Sequence, residues 1–244
     1  MRPALRKALR RAIAIFFVLS LVSGAGTMWL LGTEAGARFA LSKVGVLMKG
    51  GVVKADAVDG HLASPFTIRG LVYETDSLRM TVETLSVKWN LARLLRRQLD
   101  IVSLVADGVV LTSKENADES EGLTDIHLPI NIVVHDARVS SLKLGEDPGA
   151  ALLVDSIAMT TATVDDVLRI ERLSIRAPLF DGDFEGTVTP LGDYPVSLDM
   201  KWAYRPPDSP AYSGHGSFRG DLARLAVKET LEQPFAAEID AVLE

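Results

Sequence analysis

The chain has 244 residues, an apolar fraction of 48%, a formal net charge of −6 and no cysteine. That much apolar content can build a substantial core and argues against disorder, while the missing thiols exclude disulfides and cysteine chemistry. Setting aside the five positive charges of the first eleven residues leaves −11 for the rest, which excludes nucleic acid as a partner, because phosphate recognition needs clustered Lys and Arg.

Arg2, Arg6, Lys7, Arg10 and Arg11 make residues 1–11 a basic tail ahead of an uncharged run, Ala12 to Leu31, that ends at Gly32. Twenty residues at ~1.5 Å each form a helix of ~30 Å, the thickness of a bilayer's hydrocarbon core. The spacing predicts a transmembrane anchor over 12–32, with Ile13, Ile15, Phe16, Phe17, Val18, Leu19, Leu21, Val22 and Leu30 in lipid and Trp29 at the outer interface. The basic tail stays cytoplasmic and the remainder is sent across. A cleaved signal peptide is the competing reading, since Ser23 and Ala25 have suitable spacing, but the apolar run exceeds the ~7–15 residues of a signal core. Both readings give the same topology.

Residues 33–50 predict a short amphipathic helix. Thr33 can cap it, Glu34 suits its N-terminus, and Ala37, Leu41, Val44 and Met48 recur three and four apart before Gly50-Gly51 breaks the pattern. Its apolar side can lie on the membrane or plug the end of the following domain, and the scarcity of basic residues favours the plug.

From Val52 onward short β-strands punctuated by glycine take over. Val196, Leu198, Met200, Trp202 and Tyr204 face one way, and Ser197, Asp199, Lys201 and Arg205 the other, with Ala203 between them. Phe235, Ala237, Ile239, Ala241 and Leu243 repeat the arrangement against Glu238, Asp240 and Glu244, and Leu128, Ile130, Ile132 and Val134 make a third case. Alternation of this kind means one apolar and one wet face. Leu78, Met80 and Val82 start a fourth strand whose phase slips near Thr84-Leu85, where a bulge is expected. Residues 91–99 (LARLLRRQL) read as a short helical connector with a basic side, either simply solvated or in contact with anionic lipid or an acidic partner. The acidic stretch 114–122 is a linker dividing a first β unit, 51–113, from a second, 123–244. The sequence stops inside a strand pattern, so a longer protein is expected.

No reaction chemistry is legible. The four histidines are scattered, no G-x-S-x-G surrounds a serine, and Gly214-His215-Gly216-Ser217 lacks the third glycine of a dinucleotide loop. Asp181-Gly182-Asp183-Phe184-Glu185-Gly186 imitates a calcium loop but has Gly192 where the closing Glu belongs, and a hairpin turn explains it better. The expectation is no enzyme, no metal and no cofactor.

Four stretches together resemble the N-terminal portion of the TamB family, within the wider AsmA-like group. They are the anchor running into Gly32-Thr33-Glu34-Ala35-Gly36, the unit beginning at Val53 and reaching Tyr73, the strand–helix–strand element Val87 to Val110, and Leu123 to Val134. The resemblance implies a mainly β protein in which a transmembrane helix and a short amphipathic helix precede a curved, solenoid-like β half-pipe with an apolar inside. It further implies a bacterial inner-membrane, single-pass protein with its bulk in the periplasm. Phospholipid transport toward the outer membrane is the first implied role. Assembly of outer-membrane proteins and autotransporter secretion with an outer-membrane barrel of the TamA type is the second. Family members are longer and end in a C-terminal domain that has no counterpart here. The lipid-groove candidates are Val196, Leu198, Met200, Trp202, Tyr204, Phe235 and Ile239, with Leu78, Met80 and Val82 nearer the membrane. Periodicity alone favours a closed sandwich core for these residues, and the resemblance turns the reading to the groove.

Overall fold

The computed structural model describes residues 32–37, 39, 51–113, 130–145 and 152–243. The basic tail, the anchor up to Leu31, most of the predicted amphipathic helix and the acidic linker lie outside the described residues. Among those described, no helix is long and apolar enough to cross a membrane.

Thirteen strands make one open sheet: β1 (Val52–Lys54), β2 (Ala57–Asp59), β3 (Phe66–Glu74), β4 (Leu78–Trp89), β5 (Gln98–Ser113), β6 (Asn131–Leu144), β7 (Leu152–Val164), β8 (Val167–Arg176), β9 (Phe180–Val188), β10 (Val196–Tyr204), β11 (Tyr212–Gly220), β12 (Leu225–Gln233) and β13 (Ala237–Leu243). From β3 on, each strand lies beside the next in sequence, while β1 and β2 both pair with β3. Every described pairing is antiparallel except one: β5 runs parallel to β6, with Gln98 opposite Asn131 and Leu111 opposite Leu144. That exception falls at the predicted boundary between two β units. A parallel neighbour needs a chain that returns to the starting end of the previous strand, so the break in pattern is a crossover and the sheet is continuous through it.

A single layer cannot seal its own face, yet Ile68 is 2% exposed and Val58 3%. The sheet therefore curls, and the curl has a local cause. Gly70, Glu83, Gly108 and Ser141 stand at one level across β3 to β6, between pairs such as Arg69–Thr84 and Leu71–Val82 that keep the register on either side. Gly70, Gly108 and Ser141 have φ of 61°, 64° and 56°, in the left-handed region. Each strand resets its alternation there, so inward residues sit three apart: Ile68 and Leu71, Val82 and Leu85, Ala106 and Val109, Val139 and Leu142. The predicted slip near Thr84-Leu85 is thus a coordinated kink through four strands. No extra residue is inserted at that point.

These residues form the core with Phe66, Val87, Val154 and Ala37. Ala37 lies in the first helical turn, where the Gly36 N–H donates to Thr33 Oγ1 at 3.0 Å, the cap expected from sequence. Trp89 packs against the same core, donating Nε1–H to the Leu62 carbonyl at 2.5 Å with its ring centroid 5.4 Å from that of Phe66.

The predicted helix over 91–99 is a shorter 3-10 helix, Leu91–Arg96, ended by left-handed Arg97, and Gln98 and Leu99 already belong to β5. Asp100, 4% exposed, fastens it by accepting Arg93 Nε–H at 3.0 Å and His135 Nε2–H at 2.7 Å. Breaking a buried pair usually costs ~3–5 kcal/mol because the survivor stays buried and unpaired. Here both survivors are about half exposed, at 49% and 56%. Asp100→Ala is therefore expected to destabilise by only about 2 kcal/mol, read as a lower thermal midpoint.

Candidate functional site

Residues directly opposite in neighbouring strands point to the same face, so the register lists each row of side chains. One row starts at Val58 and Ile68 and continues through Leu85, Ala106, Val139 and Ile157. It then crosses Ile175, Gly182, Trp202 and Gly214 to reach Leu231 and Ala237. It spans β2 to β13 without one charged side chain. The neighbouring row, from Phe66 through Met159 and Met200 to Ile239, carries a single charge, Glu229.

Burial divides this face. Between β2 and β7 it is packed, whereas from β8 to β13 the only buried residues are two glycines, Gly182 and Gly214. The apolar strip thus opens as the chain proceeds. Val196, Leu198, Met200 and Trp202 are half-buried on it, and Tyr204 is exposed at the strand end. Ile239 is 57% exposed in β13. Leu78 and Met80 are half-buried in β4. Val82, 4% exposed, shares the face of Leu78 and Met80 and lies in the packed core. Phe235 is in the bend between β12 and β13, so it does not continue the β13 alternation.

The opposite face is held by cross-strand ion pairs. The sequence that imitates a calcium loop is the body of β9, with no hairpin turn in it. Its carboxylates alternate outward, Asp181 to Arg205 at 2.5 Å and Asp183 to Arg176 at 2.8 Å. Among the described residues no group of three or more His, Asp or Glu could hold a metal ion. The hydroxyl of Ser174, 2.6 Å away, and then the Arg176 guanidinium hold the Asp183 carboxyl below the usual carboxylate range. Its folded pKa lies below its unfolded one, so its contribution is present above the ordinary carboxylate range and is lost as pH falls through the folded value. The group is half exposed and the effect small. Acidification below the ordinary range is expected to lower the amide protection factors of β8 and β9, after correction for the intrinsic exchange rate at each pH, and Asp183→Asn to remove that dependence.

Sequence reasoning missed Glu229 on the apolar face. The signal was present: Leu225, Val227, Glu229 and Leu231 alternate, with one carboxylate in the series. It also dismissed Gly214 and Gly216, which are a cleared space on β11. A Cβ on Gly216 would stand 2.0 Å from Glu229 Oε2. Over that gap, the Trp202 Nε1–H of β10 donates to Glu229 Oε1 of β12 at 2.5 Å.

Comparison with curated proteins and with solved structures finds no match. The profile of one family, described as TamB, N-terminal domain, matches residues 24–122 and 117–244. Those segments cover most of the sequence, and with the open sheet and its continuous apolar face they place the chain in the TamB family, as an N-terminal TamB portion.

Proposed function

We propose that this protein conducts phospholipid from the inner toward the outer membrane along its apolar face, anchored in the inner membrane with the sheet in the periplasm. The observation that carries this reading is the uncharged row crossing twelve strands and opening to solvent beyond β7. Acyl chains laid on it leave water at ~0.8 kcal/mol per methylene, while the headgroup stays wet. The work is binding and release at weak repeated contacts. No bond is made or broken, so the protein is not an enzyme and uses no cofactor. An outer-membrane barrel of the TamA type is the proposed partner at the far side.

A second reading draws on the sheet being open, since an open sheet can pair with an added strand, as a scaffold for outer-membrane protein assembly and autotransporter secretion would require. Full-length protein purified from membranes and extracted for lipid separates the two. Phospholipid recovered with the protein is the expected result. Lipid-free protein that crosslinks to barrel-protein strands would favour the scaffold.

A further inference from the structure

A carboxylate on an otherwise greasy face calls for a physical reason. Glu229 is partly buried, between Gly216 and Ile239 in the register. Oε1 accepts the Trp202 indole N–H at 2.5 Å, and Oε2 is buried with no hydrogen-bond partner. An unsatisfied oxygen costs its desolvation, and a side chain serving only to pack this position would be apolar like Ile239 or Met200. The glycines at 214 and 216 are what let the carboxylate and the indole meet across an intervening strand. A side chain at 216 would occupy the carboxylate's place, and one at 214 would meet the Thr230 carbonyl at 2.5 Å and Glu229 Oε1 at 3.0 Å.

We propose that Glu229 and Trp202 form a recognition site for the ammonium group of a zwitterionic, amine-headed phospholipid lying on the apolar face. This rests on the lipid-conducting reading above. A carboxylate with a spare acceptor attracts an ammonium by a charge-assisted hydrogen bond, and the Trp202 indole N–H holds that carboxylate in place through Oε1. The terminal torsion of Glu is broad, so a small turn presents Oε2 to a donor arriving from the open side. The apolar row beside the site takes the acyl chains, and the negative charge disfavours headgroups that are anionic overall. The site is therefore a selectivity filter placed on the open part of the strip.

The test compares lipids extracted from full-length protein and from its Glu229→Gln variant, each purified from membranes holding both phosphatidylethanolamine and phosphatidylglycerol. Glutamine keeps the shape and an oxygen for the Trp202 N–H, so folding is retained. The native protein should carry the amine lipid enriched about threefold over its share in the membrane. The variant should lose the enrichment while holding the same total lipid. Unchanged enrichment in the variant, or none in the native protein, overturns the ammonium site and leaves lipid conduction standing. No lipid on either protein overturns both. A zero-length crosslink from Glu229 to a polypeptide lysine, with none to lipid amine, would also overturn it and assign the carboxylate to a protein ligand.

Discussion

Protein carrying both Leu198→Arg and Met200→Glu should fold and lose its lipid. Both side chains are half-buried on the open part of the sheet, so the new charges reach water and the sheet keeps its hydrogen bonds. An acyl chain crossing β10 would then meet charge in place of hydrocarbon. Losing contact with about two methylenes at ~0.8 kcal/mol each lowers occupancy on the order of tenfold. The measurement is phospholipid per protein after purification, with circular dichroism confirming the β-signal. Val82→Arg is the contrasting control. At 4% exposure it buries an unpaired charge in the core and should unfold the protein. If the β10 variants unfold as Val82→Arg does, their side chains belong to a closed interior.

The second large effect is structural. Gly108→Val should destabilise by about 3 kcal/mol. Position 108 has φ 64°, which opposes any L side chain, and a Cβ there would lie 2.4 Å from the Glu83 side chain. The relevant comparison is Gly192→Ala, at φ 60° with nothing within 4 Å of the added carbon. It should cost only the conformational part, about 1 kcal/mol. Chemical denaturation of the two variants compares a β-branched side chain at the kink with a bare methyl in an open turn. Equal losses would mean the kink at Gly108 is not crowded.

The difference between what the sequence disclosed and what it hid follows from range. Alternation is local, so β10 was legible from Val196 to Tyr204 almost to the residue, as was most of β13. Pairing is not local. Nothing in Gln98–Ser113 announces that its next neighbour runs parallel, because the partner lies beyond the crossover. The kink was half legible: Gly70 and Gly108 are visible, but Ser141 adopts φ 56° with no glycine to mark it. The β9 carboxylates suggest a turn in the sequence because Asp-Gly is a turn dipeptide in isolation. In the fold, Gly182 is flat strand whose missing side chain leaves room for the rings of Phe180 and Phe184. Glu229 is hidden in the sequence because apolar periodicity does not mark the one residue that violates it. Such violations are where a face acquires chemistry.

If one face of the open sheet holds hydrocarbon chains, a photo-crosslinking residue placed in turn at 196, 197, 198, 199, 200 and 201 of the membrane-embedded, full-length protein will tell that face from the other. Lipid adducts are expected at 196, 198 and 200 and none at 197, 199 and 201, a period of two along β10. Adducts of equal yield at both sets, or none at either, would rule a lipid-bearing face out.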